Sequence, residues 1–213
     1  MNILITGVHG FVGSNLVKAL VPEHTIFGLD IVAPKKEGVK KTFFWEDLPS
    51  TSLGQSQLLD FQKIDAIIHL AGKAHDTRNK SAADVYFKVN TGLTQRIFDW
   101  FLTSKSAKKF IFFSTVKSAA DRVEGEFLTE ECVPTPVGPY GESKIKAEDY
   151  IIEHFAPEAL KRPYHNFNDS DSIIKDKQVY IMRPCMIHGP GNKGNLNLSL
   201  IHISEPTRLL SIS

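Results

Sequence analysis

The chain has 213 residues, enough for one domain with a sizeable core and part of a second. Hydrophobic residues make up 42% and charged residues 23%, the balance of an ordinary globular protein rather than a disordered or low-complexity one. With a formal net charge of +1 and scattered Lys and Arg, composition gives no ground for a nucleic-acid partner, and Lys35-Lys36 and Lys40-Lys41 read as a solvated loop.

No apolar run is long enough to span a bilayer, so no membrane partner is expected. The first strand begins at residue 2 or 3, which leaves no room for a signal peptide. Cys132 and Cys185 read as free thiols in a reduced, cytoplasmic setting. The histidines show no metal-ligand spacing, and no metal is expected.

In chain order, the apolar run Ile3-Leu4-Ile5 leads into Thr6-Gly7-Val8-His9-Gly10-Phe11-Val12-Gly13. An amphipathic stretch carrying Leu16, Val17 and Leu20 follows, and a second apolar run, Ile26 to Leu29, ends on Asp30. The pattern is strand, glycine turn, helix, strand, acid. A helix N-terminus offers free N–H groups and the positive end of the helix dipole to a pyrophosphate. Gly7 permits the turn off the strand, Gly10 lets phosphates approach the backbone, and Gly13 lets the helix pack close to the sheet. Asp30 stands where a carboxylate accepts hydrogen bonds from the adenosine ribose, and it would repel a 2′-phosphate. The expected cofactor is therefore NAD rather than NADP.

Further strands are expected near 42–45, 65–70, 109–114 and 178–183, after the first two at 2–6 and 25–29. Helices are expected near 11–21, 84–104 and 140–155, with a short one near 55–61. Apolar strands alternating with helices predict an α/β fold with a doubly wound parallel sheet covered on both faces. The polar stretch 157–177 reads as a surface insertion.

Two further segments carry chemistry. Tyr140 and Lys144, in Pro139-Tyr140-Gly141-Glu142-Ser143-Lys144, lie one helical turn apart on one face. An adjacent ammonium stabilises a phenolate, so Lys144 is expected to lower the pKa of Tyr140 and make it a general base. The buried run Lys109 to Phe113 ends in two hydroxyls, Ser114 and Thr115, at the edge where α/β sheets place ligands.

With Thr6-Gly7 in front, the spacing of Gly7, Gly10 and Gly13 resembles the short-chain dehydrogenase/reductase superfamily, in its extended branch of nucleotide-sugar epimerases and dehydratases. That resemblance implies a Rossmann domain over 1–183, the start of a small C-terminal substrate domain over 184–197, and catalysis by Tyr140, Lys144 and Thr115. It also implies cofactor contacts from Gly7, His9, Gly10, Phe11, Val12, Gly13 and Asp30 in the first unit. Asp47 and Leu48 resemble an adenine-contacting pair, and Leu70-Ala71-Gly72 a segment beside the cofactor. Asn90 resembles the asparagine that fixes the helix carrying the active site; it, Ser114, Tyr140, Lys144 and Arg183 complete the implied cofactor set. Arg183-Pro184 with His188 to Gly191 resembles the segment leading into the substrate domain.

The family's reaction is reversible hydride transfer at a sugar carbon through a keto-sugar. Val116-Lys117-Ser118 lacks the acidic pair that dehydratases carry after the catalytic hydroxyl. Leu70 to His75 looks like polysaccharide-biosynthesis epimerases and 4-keto reductases. The expected function is an NAD-dependent epimerase at C4 of a UDP-sugar. The alternatives are a 4-keto-sugar reductase, against which Asp30 leans, and a non-catalytic NAD-binding relative, against which Tyr140 and Lys144 stand. The resemblance implies a nucleotide-sugar substrate and a homodimer of the intact protein. Leu198 to Arg208 resembles a translated sequencing-library adapter, so residues 198–213 are expected to be non-native and the substrate domain truncated.

Overall fold

The computed structural model describes residues 1–48, 63–73, 82–123, 125–129, 132–161 and 172–191. The expected helix near 55–61, His75 and the segment from 198 onward lie outside the described residues.

Among the described residues six strands form one sheet: β1 (Asn2–Thr6), β2 (Thr25–Asp30), β3 (Val39–Phe44), β4 (Ala66–His69), β5 (Lys109–Phe113) and β6 (Gln178–Met182). Their order is β3-β2-β1-β4-β5-β6, and every neighbouring pair is parallel. The chain winds outward from β1 to β3, then returns to the other side of β1 at β4. The crevice above the carboxyl ends of β1 and β4 is thus the switch point, where open α/β sheets hold ligands.

Alternation along β1 decides which layer each residue joins. Ile3 and Ile5 pack with Val8, Val17 and Ile26 under α1 (Phe11–Leu20). Leu4 faces the larger core, where Phe98 and Phe101 of α2 (83–103) and Ile151 and Phe155 of α3 (Gly138–Phe155) meet Phe110 and Phe112 of β5. Phe98 and Phe110 meet edge to face at 5.0 Å, a geometry favoured by the ring quadrupoles.

α2 spans 83–103, and its interior departs from the regular helix expected there. Ala83–Tyr86 and Gly92–Thr103 are α-helical, but Phe87–Thr91 between them is a π-helical turn. Such an insertion widens one turn and re-aims the side chains on it, and it recurs at functional sites. Here it carries Asn90, which is buried. At the start of the expected surface insertion, Pro157–Lys161 forms a short 3₁₀ turn that buries Ala159.

Candidate active site

The glycine turn is held by its own backbone. Gly7 takes φ 67° and donates to the Leu29 carbonyl at 2.9 Å, while the Gly10 N–H closes the turn onto the Gly7 carbonyl at 2.9 Å. A Cβ on Gly13 would stand 2.4 Å from the Gly7 oxygen and 2.8 Å from Val8 Cα, so only glycine lets α1 dock this close to β1. No side chain caps Gly10 and no acid occupies the first turn of α1. Its leading N–H groups remain open to an anion.

Asp30 spans this turn. Its Oδ2 accepts the His9 N–H at 3.0 Å and its Oδ1 accepts the Ile31 N–H at 2.8 Å. One carboxylate therefore ties the glycine turn to the end of β2. Lys36 reaches over from the next loop, donating to the Val8 carbonyl at 3.3 Å and to Ser14 Oγ at 2.5 Å. Burial and the nearby Lys36 charge hold the His9 imidazole below its usual pKa, against the pull of Asp30.

Across the crevice, Thr6 Oγ1 accepts the N–H groups of Leu70 at 3.1 Å and Ala71 at 2.9 Å. Its own proton then points to His69 Nδ1, 2.6 Å away. This assigns the imidazole proton to Nε2, which donates to Thr94 Oγ1 at 2.9 Å; the Thr94 hydroxyl in turn donates to the Asn90 carbonyl at 2.6 Å. Burial and the Lys144 charge push the His69 pKa down to about 3, consistent with a neutral ring.

Asn90 continues the chain of bonds. Its Oδ1 accepts the Lys73 N–H at 2.7 Å, and its Nδ2 donates to the Lys73 carbonyl at 3.2 Å and to Ser143 Oγ at 2.9 Å. The Ser143 hydroxyl donates to the Tyr140 carbonyl at 2.9 Å. The end of β4 and the helix bearing Tyr140 are thus tied through one buried amide.

Tyr140 and Thr115 share a side-chain hydrogen bond, which joins α3 to the end of β5. The Tyr86 ring stands edge-on to Tyr140 at 6.4 Å. Lys144 is buried, donates to the Phe113 carbonyl at 2.6 Å and lies 4.4 Å over the Phe112 ring. Burial lowers its pKa to about 8, against the raising pull of Glu148.

A scan against family models matches residues 3–201 to the NAD dependent epimerase/dehydratase family. The chain belongs to that family. The family's cofactor is NAD. Among its curated relatives, a UDP-glucose 4-epimerase of Vibrio cholerae is 29% identical over 208 residues, covering 91% of this chain and 54% of the relative. An Escherichia coli O157:H7 N-acetyl-alpha-D-glucosaminyl-diphospho-ditrans,octacis-undecaprenol 4-epimerase is 26% identical, covering 92% of this chain and 51% of its own length. The chain thus spans about half the length of these relatives. Among solved structures, MoeE5 in complex with UDP-glucuronic acid and NAD superposes with a TM-score of 0.67 at 21% identity, covering 94% of this chain and 60% of MoeE5. That likeness is one of fold.

Several members of the expected site are placed differently from the sequence reading. The Tyr140 pKa lies above its usual value because burial outweighs the Thr115 hydrogen bond; Lys144 is turned to the Phe113 carbonyl and does not lower it. Leu48 is in the core at 3% exposure, and Asp47 Oδ2 takes the Phe44 N–H at 2.8 Å, so the pair closes the turn after β3. The Ser114 hydroxyl donates to Glu148 Oε1. Arg183 donates from Nε at 3.0 Å and Nη2 at 2.6 Å to Glu148 Oε2, so its charge is committed within the protein.

Glu148 itself escaped the sequence reading. It repeats the Tyr140-to-Lys144 spacing one turn further along α3, and that periodicity was the available signal. The roles of Thr6 and Thr94 had no local signal, because both depend on His69 standing between them.

Proposed function

We propose that this chain is the cofactor-binding and catalytic part of a nucleotide-sugar epimerase, acting at C4 of a UDP-sugar. Residues 1–183 then form the NAD-binding unit and 184–197 begin the substrate-binding part. The reading is carried by one observation: Tyr140 and Thr115 are hydrogen-bonded to each other, one helical turn from a buried ammonium, at the carboxyl edge of the sheet. It is supported by the 4-epimerases among the relatives.

The residues present fit NAD. The uncapped N-terminus of α1 suits a pyrophosphate, and Asp30 suits a ribose diol. Bound NAD supplies the redox partner for the sugar carbon. The protein's own part is proton transfer and placement. Tyr140 must first give its own proton to solvent; as phenolate, its Oη then takes the proton of the substrate hydroxyl, and the Thr115 hydroxyl bonds the same oxygen and orients it. Lys144, with a pKa of about 8, is mostly protonated at neutral pH; its ammonium bonds the Phe113 carbonyl here and would steady a phenolate only by turning toward Tyr140. Burial raises the Tyr140 pKa, so its phenolate, once formed, is a stronger base than tyrosine in water.

No acid follows Thr115 to assist loss of water. Lys117 instead forms an exposed ion pair with Asp121, and Ser118 Oγ lies 2.7 Å from the Thr115 carbonyl and 2.6 Å from Glu148 Oε1, its one proton shared between them. This favours epimerisation over dehydration.

Since the chain is about half the length of its relatives, we expect it alone to bind NAD+ weakly and to turn over no substrate. Calorimetric titration with NAD+ and NMR of UDP-sugar mixtures test both points. In a protein extended to the length of the relatives, Tyr140→Phe should reduce turnover by about 10³-fold while leaving NAD+ affinity unchanged. Retained turnover would remove Tyr140 as the base.

A further inference from the structure

Glu148 is fully buried on α3, and the proposed proton transfer makes no direct use of it. A carboxylate in such a place must be compensated. Its Oε1 accepts the hydroxyls of Ser114 and Ser118, and its Oε2 accepts two N–H groups of Arg183. Three elements therefore converge on one side chain: the end of β5, the turn Val116–Ser118 and the residue just past β6.

The position matters as much as the bonding. Tyr140, Lys144 and Glu148 follow one another at single-turn intervals along one face of α3. Ser114 adjoins Thr115, and Ser118 donates to the Thr115 carbonyl at 2.7 Å, so anchoring these two serines also fixes the hydroxyl that meets Tyr140. Arg183 leads directly into the segment after β6.

We propose that Glu148 is a positioning residue of the reaction: with Arg183 as its counter-ion, it seats the Thr115 turn against α3 and stands as the carboxylate one helical turn from Lys144. This rests on the reading of Tyr140 and Lys144 given above.

The groups that face Lys144 leave Glu148 as the stabilising one. They are Tyr140 and Glu148 from its own helix, neutral His69 from β4, Tyr86 from α2 through its contact with Tyr140, and Arg183 past β6 through its bonds to Glu148; β5 offers the Phe113 carbonyl. Burial opposes the ammonium and the Glu148 charge supports it. Removing the carboxylate should therefore move the Lys144 titration to lower pH. Removing Arg183 exposes Lys144 to an uncompensated carboxylate and should move it to higher pH. Simple loosening of the fold would instead send both variants toward the value of a solvated lysine.

The test is a ¹³Cε/¹⁵Nζ NMR titration of lysine in this chain without cofactor or substrate, the Lys144 signal being identified by its loss in Lys144→Arg. Glu148→Gln should lower the Lys144 midpoint by about one pH unit, Arg183→Gln should raise it, and Arg183→Lys should leave it in place. An unmoved midpoint in Glu148→Gln, or a shift of the same sign in both neutralising variants, overturns the proposal. If Arg183→Gln does not fold by circular dichroism, Glu148→Gln against Arg183→Lys decides it alone. In the extended protein, Glu148→Gln should move the alkaline limb of the kcat profile downward while NAD+ affinity holds; an unmoved limb refutes the role in turnover. Because the NMR midpoints need no substrate, a failure of the epimerase reading would leave them unchanged and is told apart from a failure of this proposal.

Discussion

The two sides of the crevice are built by different means. On the β1–β2 side, the glycine turn is closed by backbone bonds from Gly7 and Gly10 and by Asp30, all within the first thirty-one residues. On the β4–β5 side, Thr6, His69, Thr94, Asn90 and Ser143 form a buried relay to the Tyr140 carbonyl, drawing on β1, β4, α2 and α3. The first is a local motif that tolerates change elsewhere. The second holds only while every member is satisfied, because a buried polar group without its partner is costly. The glycine-turn side can thus persist as a module, whereas the Tyr140 side depends on the whole sheet.

The largest expected effects come from the glycine at each side. A Cβ at Gly13 would meet the Gly7 carbonyl at 2.4 Å, and one at Gly141 would meet the Lys117 carbonyl at 2.4 Å. Gly13→Ala and Gly141→Ala should each destabilise the chain by about 3 kcal/mol in urea unfolding. Only Gly13→Ala should also lower NAD+ affinity by more than about tenfold, since it displaces the anion-binding turn. Equal losses of affinity would erase the distinction between the two sides.

Asn90→Ala should cost about 2–3 kcal/mol, because it strips partners from Lys73 and Ser143 in a buried setting. A loss below about 1 kcal/mol would mean that water or neighbouring groups replace the amide.

The pH dependence of stability isolates His69. Its folded pKa of about 3 lies below its ordinary value of 6.5, so the unfolded chain binds the extra proton first as pH falls. The His69 contribution is complete above pH 6.5 and is lost progressively toward pH 3. Lowering the pH from 7 to 5 should remove about 2 kcal/mol from this source. His69→Asn should flatten that slope relative to the parent; parallel slopes would place the proton elsewhere.

The smallest effect is expected at Asp30. Asp30→Asn retains acceptors for the ribose side but removes the charge that repels a 2′-phosphate, so the preference for NAD+ over NADP+ should fall by about tenfold, or 1.4 kcal/mol. An unchanged ratio measured by calorimetry would assign cofactor choice to another group, such as Lys36, whose ammonium bonds Ser14 and the Val8 carbonyl beside the turn.

The architecture was legible because its signals are local and periodic. β1, β2, β5 and β6 were each read within a residue at either end, and the β-α-β start led directly to the parallel order. β3 begins at Val39, earlier than the apolar pattern suggested, because Lys40 and Lys41, expected in a solvated loop, are edge residues whose ammonium groups lie over the rings of Phe27 and Phe43. The π-helical turn around Asn90 has no propensity signal of its own.

The amino-acid sequence by itself determined the strands, the glycine turn and the helix face that carries Tyr140 and Lys144, since each follows from spacing within one element. Tertiary structure alone decided what those side chains experience. Burial moved Tyr140 and Lys144 from their ordinary acidities, and the ion pair with Glu148 claimed Arg183. Desolvation and charge pairing depend on atoms that meet only after residues far apart in the chain are packed together, and no local pattern encodes them.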